Sequence, residues 1–346
     1  MNADSPAASF YQLWRAYRLR WKRRYFLARA IRRRRHLTTL TNRTSQIKRG
    51  DILCFSCVRN EMERIEYFLK HHRGLGVANF LFVDNGSDDG TREHLASQSD
   101  CSVWSTTHSY KASRFGVDWT TWLQFRYGHG HWCLTLDADE LFLPPYEDQA
   151  KLPDLVTWLD QHAAPAMTAT MLDLYPKGPI SDQDFDPLDP LRLLNWFDPG
   201  GIESFPRGEL QGTLKRGGVR GRVFFADAPE KAPTLSKLPL VKWNRRFAYL
   251  TSTHVILPPR LNAATRSGEA KIPQAVILHT KFLPTIAAKA QQEKHRKQHF
   301  SNSAQYDAYY DALASGPDLW NDASVRLHDW SQLEQLGLMT RGDWRP

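Results

Sequence analysis

Seven positions near the start of the chain recur every three or four residues: Phe10, Trp14, Tyr17, Trp21, Tyr25, Ala28 and Ile31. Arginines fill the gaps, and FYQLWRAYRLRWKRRYFLARAIRRRRHL contains no Gly or Pro. That period predicts one helix with an aromatic stripe. After Gly50 the pattern changes. DILCFSCV is an apolar run of strand length. NEMERIEYFLKHHRGLG has Met62, Ile65, Phe68 and Leu69 on one helical face, and NFLFVD is a second strand. NGSDDG reads as a sharp turn, TREHLASQ as a short helix, CSVWST as a third strand and RFGVDWTTWLQFRYGHG as a helix. In HWCLTLDADELFLP, Trp132, Leu134 and Leu136 alternate with Cys133 and Thr135, and then three acids crowd together, Asp137, Asp139 and Glu140.

AMTATMLDLYP is a further strand, and VKWNRRFAYLTSTHVIL and AVILHTKFL read as late strands. IAAKAQQEKHRKQHF, YDAYYDALAS and DWSQLEQLGLM carry helical patterns. Pro176 to Pro233 is rich in Pro, Gly and Asp, as functional loops are. Strands alternating with helices predict an α/β fold, a mostly parallel sheet flanked by helices. Ligands of such a sheet gather at the carboxyl ends of its strands, where VDNGSDDGT and LDADE both fall. The expected organisation is a basic helical extension over residues 1–50, an α/β domain over 51–300 and a helical segment packed on it over 301–346.

Charge sharpens the first of these boundaries. The chain carries 46 Lys and Arg against 37 acids, and residues 1–50 hold 14 of the former and one of the latter, which leaves 32 against 36 for the rest. The basic balance belongs to the tail. A helix with aromatics on one face and arginines around them suits an anionic membrane surface over residues 10–36. Docking on its own domain or a partner, and nucleic-acid binding through RRRRH, are the alternatives; no specific nucleic acid is expected. No run reaches the length of a membrane span, and the N-terminus lacks the apolar stretch of a secretory signal. Four Cys make no disulfide framework, and Cys54 and Cys57 read as buried thiols in a reducing cytosol.

The chemistry lies in the acids. Two residues apart on an extended chain, Asp137 and Asp139 would point the same way and share a hard cation, Mg²⁺ or Mn²⁺. Asp84 directly follows an apolar strand, where a carboxylate can accept from a base N–H or a ribose hydroxyl. An EF-hand is excluded, because the twelfth position counted from Asp84 is Leu95. His295 and His299 stand four apart on a densely basic helix and read as a solvated face. His129 and His131 read as part of a turn. No G-x-S-x-G and no P-loop is present.

The ordered set CVRNE, FLKHHRGLGVANFLFVDNGSDDGT and LDADELF resembles the bacterial glycosyltransferase family 2-like proteins, most strongly over residues 54–147 and in outline over about 51–300. That resemblance implies a GT-A-type, Rossmann-like fold and transfer of a sugar from a nucleotide diphosphate, with UDP as the expected carrier. It implies that Asn60, Glu61 and Asp84 line the nucleoside pocket. Asp137 and Asp139 would be the D-x-D metal site, with His279 completing it. Lys111, Arg114, Arg220 and Arg222 would add positive charge near the donor. Two features depart from the family pattern: Cys57-Val-Arg-Asn60-Glu61 replaces Pro-x-x-Asn-Glu, and the usual Glu-Asp base pair is not evident. Asp173, at a strand end on the ligand edge, is the expected catalytic base, with Glu203 and Asp227 as alternatives. The acceptor is expected to be a surface glycan or lipid-linked, reached by an enzyme peripheral to the inner face of the cell membrane. A nucleotidyltransferase using the same ion and a non-catalytic adaptor are the competing functions.

Overall fold

The computed structural model describes residues 6–289, 291 and 307–346, with side chains from Trp14 onward except at 182, 266, 267, 307 and 308. His295, His299 and the side chain of Phe10 lie outside the described residues. Nine strands form one sheet: β1 (Thr38–Thr41), β2 (Ile52–Val58), β3 (Asn79–Asp84), β4 (Cys101–Ser105), β5 (Trp132–Thr135), β6 (Glu140–Leu143), β7 (Ala166–Asp173), β8 (Ser236–Lys242) and β9 (Ala275–His279). Their spatial order is β1-β4-β3-β2-β5-β8-β7-β9-β6. Strands β2, β3, β4, β5, β7 and β9 run one way, and β1, β6 and β8 run against them. The α/β, mostly parallel architecture expected from the alternation is the one observed.

Each face of the sheet has its own core. Ile52, Cys54 and Val58 of β2 point into one apolar cluster, and Leu53 and Phe55 point into the other. A strand buried on both faces is apolar throughout, which is why DILCFSCV shows no polar alternation. Helices α2 (Met62–Gly74), α3 (Thr91–Ser97), α4 (Val117–Leu123) and α5 (Leu152–Gln161) cover the sheet. All four cysteines are free; Cys54, Cys101 and Cys133 are buried, and Cys57 is half-buried.

Three local outcomes differ from the sequence pattern. The strand expected within 241–257 starts earlier, at Ser236, and ends at Lys242; Ala248–Thr251 and Val255–Leu257 form a separate hairpin. Pro239 conceals β8 in the sequence, because proline has no N–H for a ladder. The structure accommodates it where the β8/β7 register shifts, between Lys237 and Leu240. The second difference concerns the basic N-terminal stretch, where β1 pairs with β4. At the other end of the chain, Trp330, Leu333 and Trp344 sit in the main core cluster.

The third difference is in the N-terminal helix, α1 (Pro6–Arg33). It packs against α4 and the Ala248–Leu257 hairpin, but with the face opposite the aromatic stripe. Ala30 is buried, the Arg114 guanidinium lies 3.8 Å over the Phe26 ring, and Arg29 Nε donates to Asp118 at 2.6 Å. Asp118 is fully buried and also meets Arg114 Nε at 3.1 Å. Burial pushes its carboxyl up, and the two arginines oppose that.

Candidate active site

The acids of LDADE do not extend β5. The strand stops at Thr135, and a turn closed by Glu140 N–H on the Asp137 carbonyl, 3.1 Å, carries the chain back into β6. Asp137 and Asp139 therefore do not sit side by side as on an extended strand. The Asp137 side chain is half exposed, whereas Asp139 and Glu140 turn inward.

Sheet order then assembles a row. β9 lies between β7 and β6, in a register that sets His279 beside Asp173 on one side and Glu140 on the other. His279 Nδ1 is 2.5 Å from Asp173 Oδ1, and its Nε2 is 3.1 Å from Asp139 Oδ2. Thr280 N–H and Oγ1 both donate to the Asp139 carbonyl, fixing that turn against the end of β9. One ligand atom from each of Asp139, Glu140 and His279 lies within 4.8 Å of the others. Two carboxylates and an imidazole make an oxygen-rich site with one nitrogen, a donor set that suits Mn²⁺ and tolerates Mg²⁺.

The electrostatics are those of a buried, nearly balanced cluster. Burial lowers the His279 pKa, but Asp139 and Asp173 outweigh it and hold the pKa above the usual imidazole range. Burial opposes ionisation of Asp173, yet Arg220 and His279 bring it down to about 2. Asp139 is likewise held well below the carboxylate range, against burial, chiefly by His279. Glu140 is pushed up by burial and the neighbouring aspartates, against the pull of Lys237.

Both oxygens of Asp173 are taken, Oδ1 by His279 and Oδ2 by Arg220 Nε at 2.8 Å. Both contacts favour the ionised form, which makes Asp173 a weak base toward an acceptor hydroxyl. Arg220 is buried, and its Nη2 has no hydrogen-bond partner among the described residues. A buried guanidinium nitrogen left in that state fits an anionic ligand.

The remaining predicted residues fall in three places. Asn60, Glu61 and Asp84 cluster at the ends of β2 and β3. Asn60, at φ 53, exchanges hydrogen bonds with Asp88, and Glu61 Oε2 meets Arg64 at 3.2 Å and Lys289 at 3.1 Å. Asp84 is buried and accepts from Gly86 and Ser87 N–H of its own turn. Lys111 is half-buried in the segment between β4 and α4. Arg114 contacts Asp118, Phe26 and the Tyr249 carbonyl, at the docking face of α1. Arg222 grips Asp198 with two nitrogens, at 2.9 and 3.0 Å.

Asp198 and Arg222 line a cavity of about 740 Å³ together with Glu203, Phe205, Arg216 and Glu230. Its wall includes the helix Gly218–Phe224, which also carries Arg220. A hairpin, Ile202–Pro206 with Thr213–Gly217, leads into that helix. Gly217 approaches the Gly201 carbonyl so closely that a Cβ would meet it at 1.8 Å. Asp227 is exposed.

Two site residues escaped assignment from sequence. Glu140 was visible as the third acid of LDADE. Lys237 is buried in β8 and pairs with Glu140 and, at 3.4 Å, with Asp137. Its sequence signal was a lone lysine inside SKLPLV, since a charge in a buried strand needs a partner.

No family model and no curated protein matches the chain. Among solved structures it is similar to Staphylococcus aureus TarS residues 1–349 in complex with UDP, at 14% identity over 39% of this chain and 38% of that one, TM-score 0.26. It is also similar to the mannosyltransferase PcManGT from Pyrobaculum calidifontis in complex with GDP-Man and Mn²⁺, at 15% identity over 89% and 79%, TM-score 0.32. A third is a 4-diphosphocytidyl-2C-methyl-D-erythritol synthase, at 17% identity over 40% and 67%, TM-score 0.25. The chain spans less than two fifths of the TarS fragment it matches, and likenesses this distant carry no inference about activity.

Proposed function

We propose that this chain is a metal-dependent glycosyltransferase that moves a sugar from a nucleotide diphosphate, with UDP the expected carrier, to a glycan or lipid-linked hydroxyl. The observation that carries the reading is the Asp139–Glu140–His279 cluster beside the unpartnered Nη2 of Arg220, at the ligand edge of an α/β sheet. Asp139, Glu140 and His279 would hold the cation, and Asp137 stands within reach of the same ammonium as Glu140. A bound divalent cation supplies stabilisation of the negative charge that develops on a departing diphosphate. Arg220 adds a fixed positive charge on the same side. Asn60, Glu61 and Asp84 are assigned to the nucleoside end, with Lys111, in the segment that links β4 to α4, as added positive charge. Asp173 acts here as the group that orients His279, Nδ1 toward the carboxylate and Nε2 toward the ligand. The base that deprotonates the acceptor is then sought at Glu203, which faces the cavity.

The test is calorimetric titration of UDP, GDP and CDP with and without Mn²⁺, followed by product analysis with matching sugar donors. Release of a nucleoside diphosphate supports the reading. Release of pyrophosphate from a nucleoside triphosphate would move the chain to the nucleotidyltransferases. Absence of binding to all three nucleotides sinks it.

Two further outcomes are expected. Asp173→Asn should weaken Mn²⁺ binding roughly 10–100-fold, as loss of a group behind a ligating histidine does, while cation-free nucleotide binding holds. The second concerns pH. Because the His279 pKa is raised, its charge contributes stability that is complete below about pH 6.5. That contribution is lost as pH rises through the raised value. The melting temperature of the cation-free protein, relative to His279→Gln, should fall over that window. Mn²⁺ affinity should rise over the same window, since the ion needs the neutral Nε2. An Mn²⁺ affinity flat with pH would remove His279 from the ligand set.

A further inference from the structure

The residues of α1 divide into two faces with different chemistry. One face is docked, through Phe26, Arg29 and Ala30. The other presents Trp14, Tyr17, Trp21 and Tyr25, which are 48, 56, 50 and 60% exposed. At about 100° per residue these four fall within roughly 80° of one another. Arg18 and Lys22 flank them on one side and Arg20 and Arg24 on the other, all exposed. Arg18 and Arg24 fold over the rings of Trp14 and Trp21, at 4.9 and 5.0 Å. From Trp14 to Arg35 the chain holds eleven Lys and Arg and no acid. Four large aromatics left in water along one helical face are an unusual expenditure of apolar surface, and none of the described residues covers them.

We infer that this face of α1 lies in the headgroup layer of an anionic bilayer, with the rings at the depth of the glycerol backbone and the flanking cations on lipid phosphates. The order of groups selects the partner. Aromatics in the middle with cations on both sides match a surface that is apolar below and anionic above. A nucleic acid would call for cations along the centre of the face. No helix among the described residues is long and apolar enough to cross a membrane, so the helix lies on the surface.

Because the opposite face is pinned to α4, the bilayer has a fixed direction relative to the α/β sheet. Arg15 of α1 meets Glu209 at 2.9 Å, in the turn of the hairpin whose base, Glu203 and Arg216, lines the cavity beside Arg220. One hairpin thus connects α1, on the side away from the aromatic stripe, to that cavity. If the chain is the glycosyltransferase proposed above, the acceptor hydroxyl is drawn from the bilayer on which α1 rests. Only this last step rests on the enzymatic reading.

The experiment is flotation of the full chain with vesicles of phosphatidylcholine alone or with added phosphatidylglycerol, at increasing salt. Binding to the anionic vesicles, absent on the neutral ones and weakened by salt, is the expected result. Arg18→Gln/Lys22→Gln/Arg24→Gln should lower partitioning roughly a hundredfold, and Trp14→Ser/Trp21→Ser/Tyr25→Ser about tenfold or more. All six side chains are exposed, so both variants should keep the wild-type melting temperature and nucleotide titration. Equal binding to neutral vesicles overturns the inference, as does no binding at all. A serine variant that binds like wild type would reduce α1 to a general polyanion site. Duplex DNA competing fully for the face, or an aromatic-dependent dimer in sedimentation velocity, would assign it to nucleic acid or to a second copy. The UDP titration stands apart from all of these, so either idea can fail alone.

Discussion

Asp139→Ala is expected to abolish cation-dependent binding of a nucleoside diphosphate. The loss should exceed the roughly 10–100-fold that follows removal of a group behind a metal ligand. Asp139 is anionic well below neutral pH, lies 3.1 Å from His279 Nε2, and has its backbone clamped to Thr280. Removing its carboxylate takes away one donor of the cluster and leaves His279 with Asp173 alone. Asp137→Ala should weaken binding less, since its side chain is half exposed and its nearest charge is Lys237. Calorimetry with Mn²⁺ on the two variants separates them. Wild-type Mn²⁺-dependent affinity in Asp139→Ala would mean that the cluster does not hold the ion.

Lys237→Met should produce the largest stability loss of any single change at the site, about 3–5 kcal/mol. Lys237 and Glu140 are both nearly inaccessible, at 5 and 1% exposure, and each is the other's principal partner. Methionine preserves the length of the side chain but leaves a carboxylate buried without its counter-charge. Glu140, already pushed up by burial, would have to take a proton or draw in water. Adding Glu140→Gln should recover a large part of the loss, because a neutral amide needs no counter-ion. Urea unfolding of the four members of this cycle gives the coupling directly. A Lys237→Met protein as stable as wild type, or no recovery in the double variant, would show that the ammonium does not hold the cluster together.

Local patterns were legible in the chain as written. The apolar runs of β2 and β3, the helical face of α2 and the turn at NGSDDG all depend on neighbours a few residues apart, so periodicity suffices to find them. The acids of LDADE stood out for the same reason, since charge at the end of a buried strand has no packing role. Their geometry was not legible. An extended chain would have aligned Asp137 with Asp139, and the turn after Thr135 instead leaves Asp137 half exposed while Asp139 turns inward. Lys237 lay in a strand concealed by Pro239, which a register shift accommodates and local propensity does not foresee.

Sequence by itself determined that this is an α/β chain with a basic aromatic helix in front and acids at its ligand edge. Each of those properties is a statement about neighbours along the backbone. Tertiary structure alone decided which residues meet. Asp173, His279 and Glu140 are far apart in the chain and become a row only because β9 inserts between β7 and β6 in one register. The direction of α1 was decided in the same way. Its period identified a stripe of aromatics, and burying that stripe would remove the most apolar surface from water. The fold instead docks the other face, where Phe26 and Ala30 fit and where Arg29 meets the Asp118 carboxylate. A buried carboxylate requires its counter-charge more stringently than exposed rings require cover, and the position of Asp118 exists only once α4 is folded.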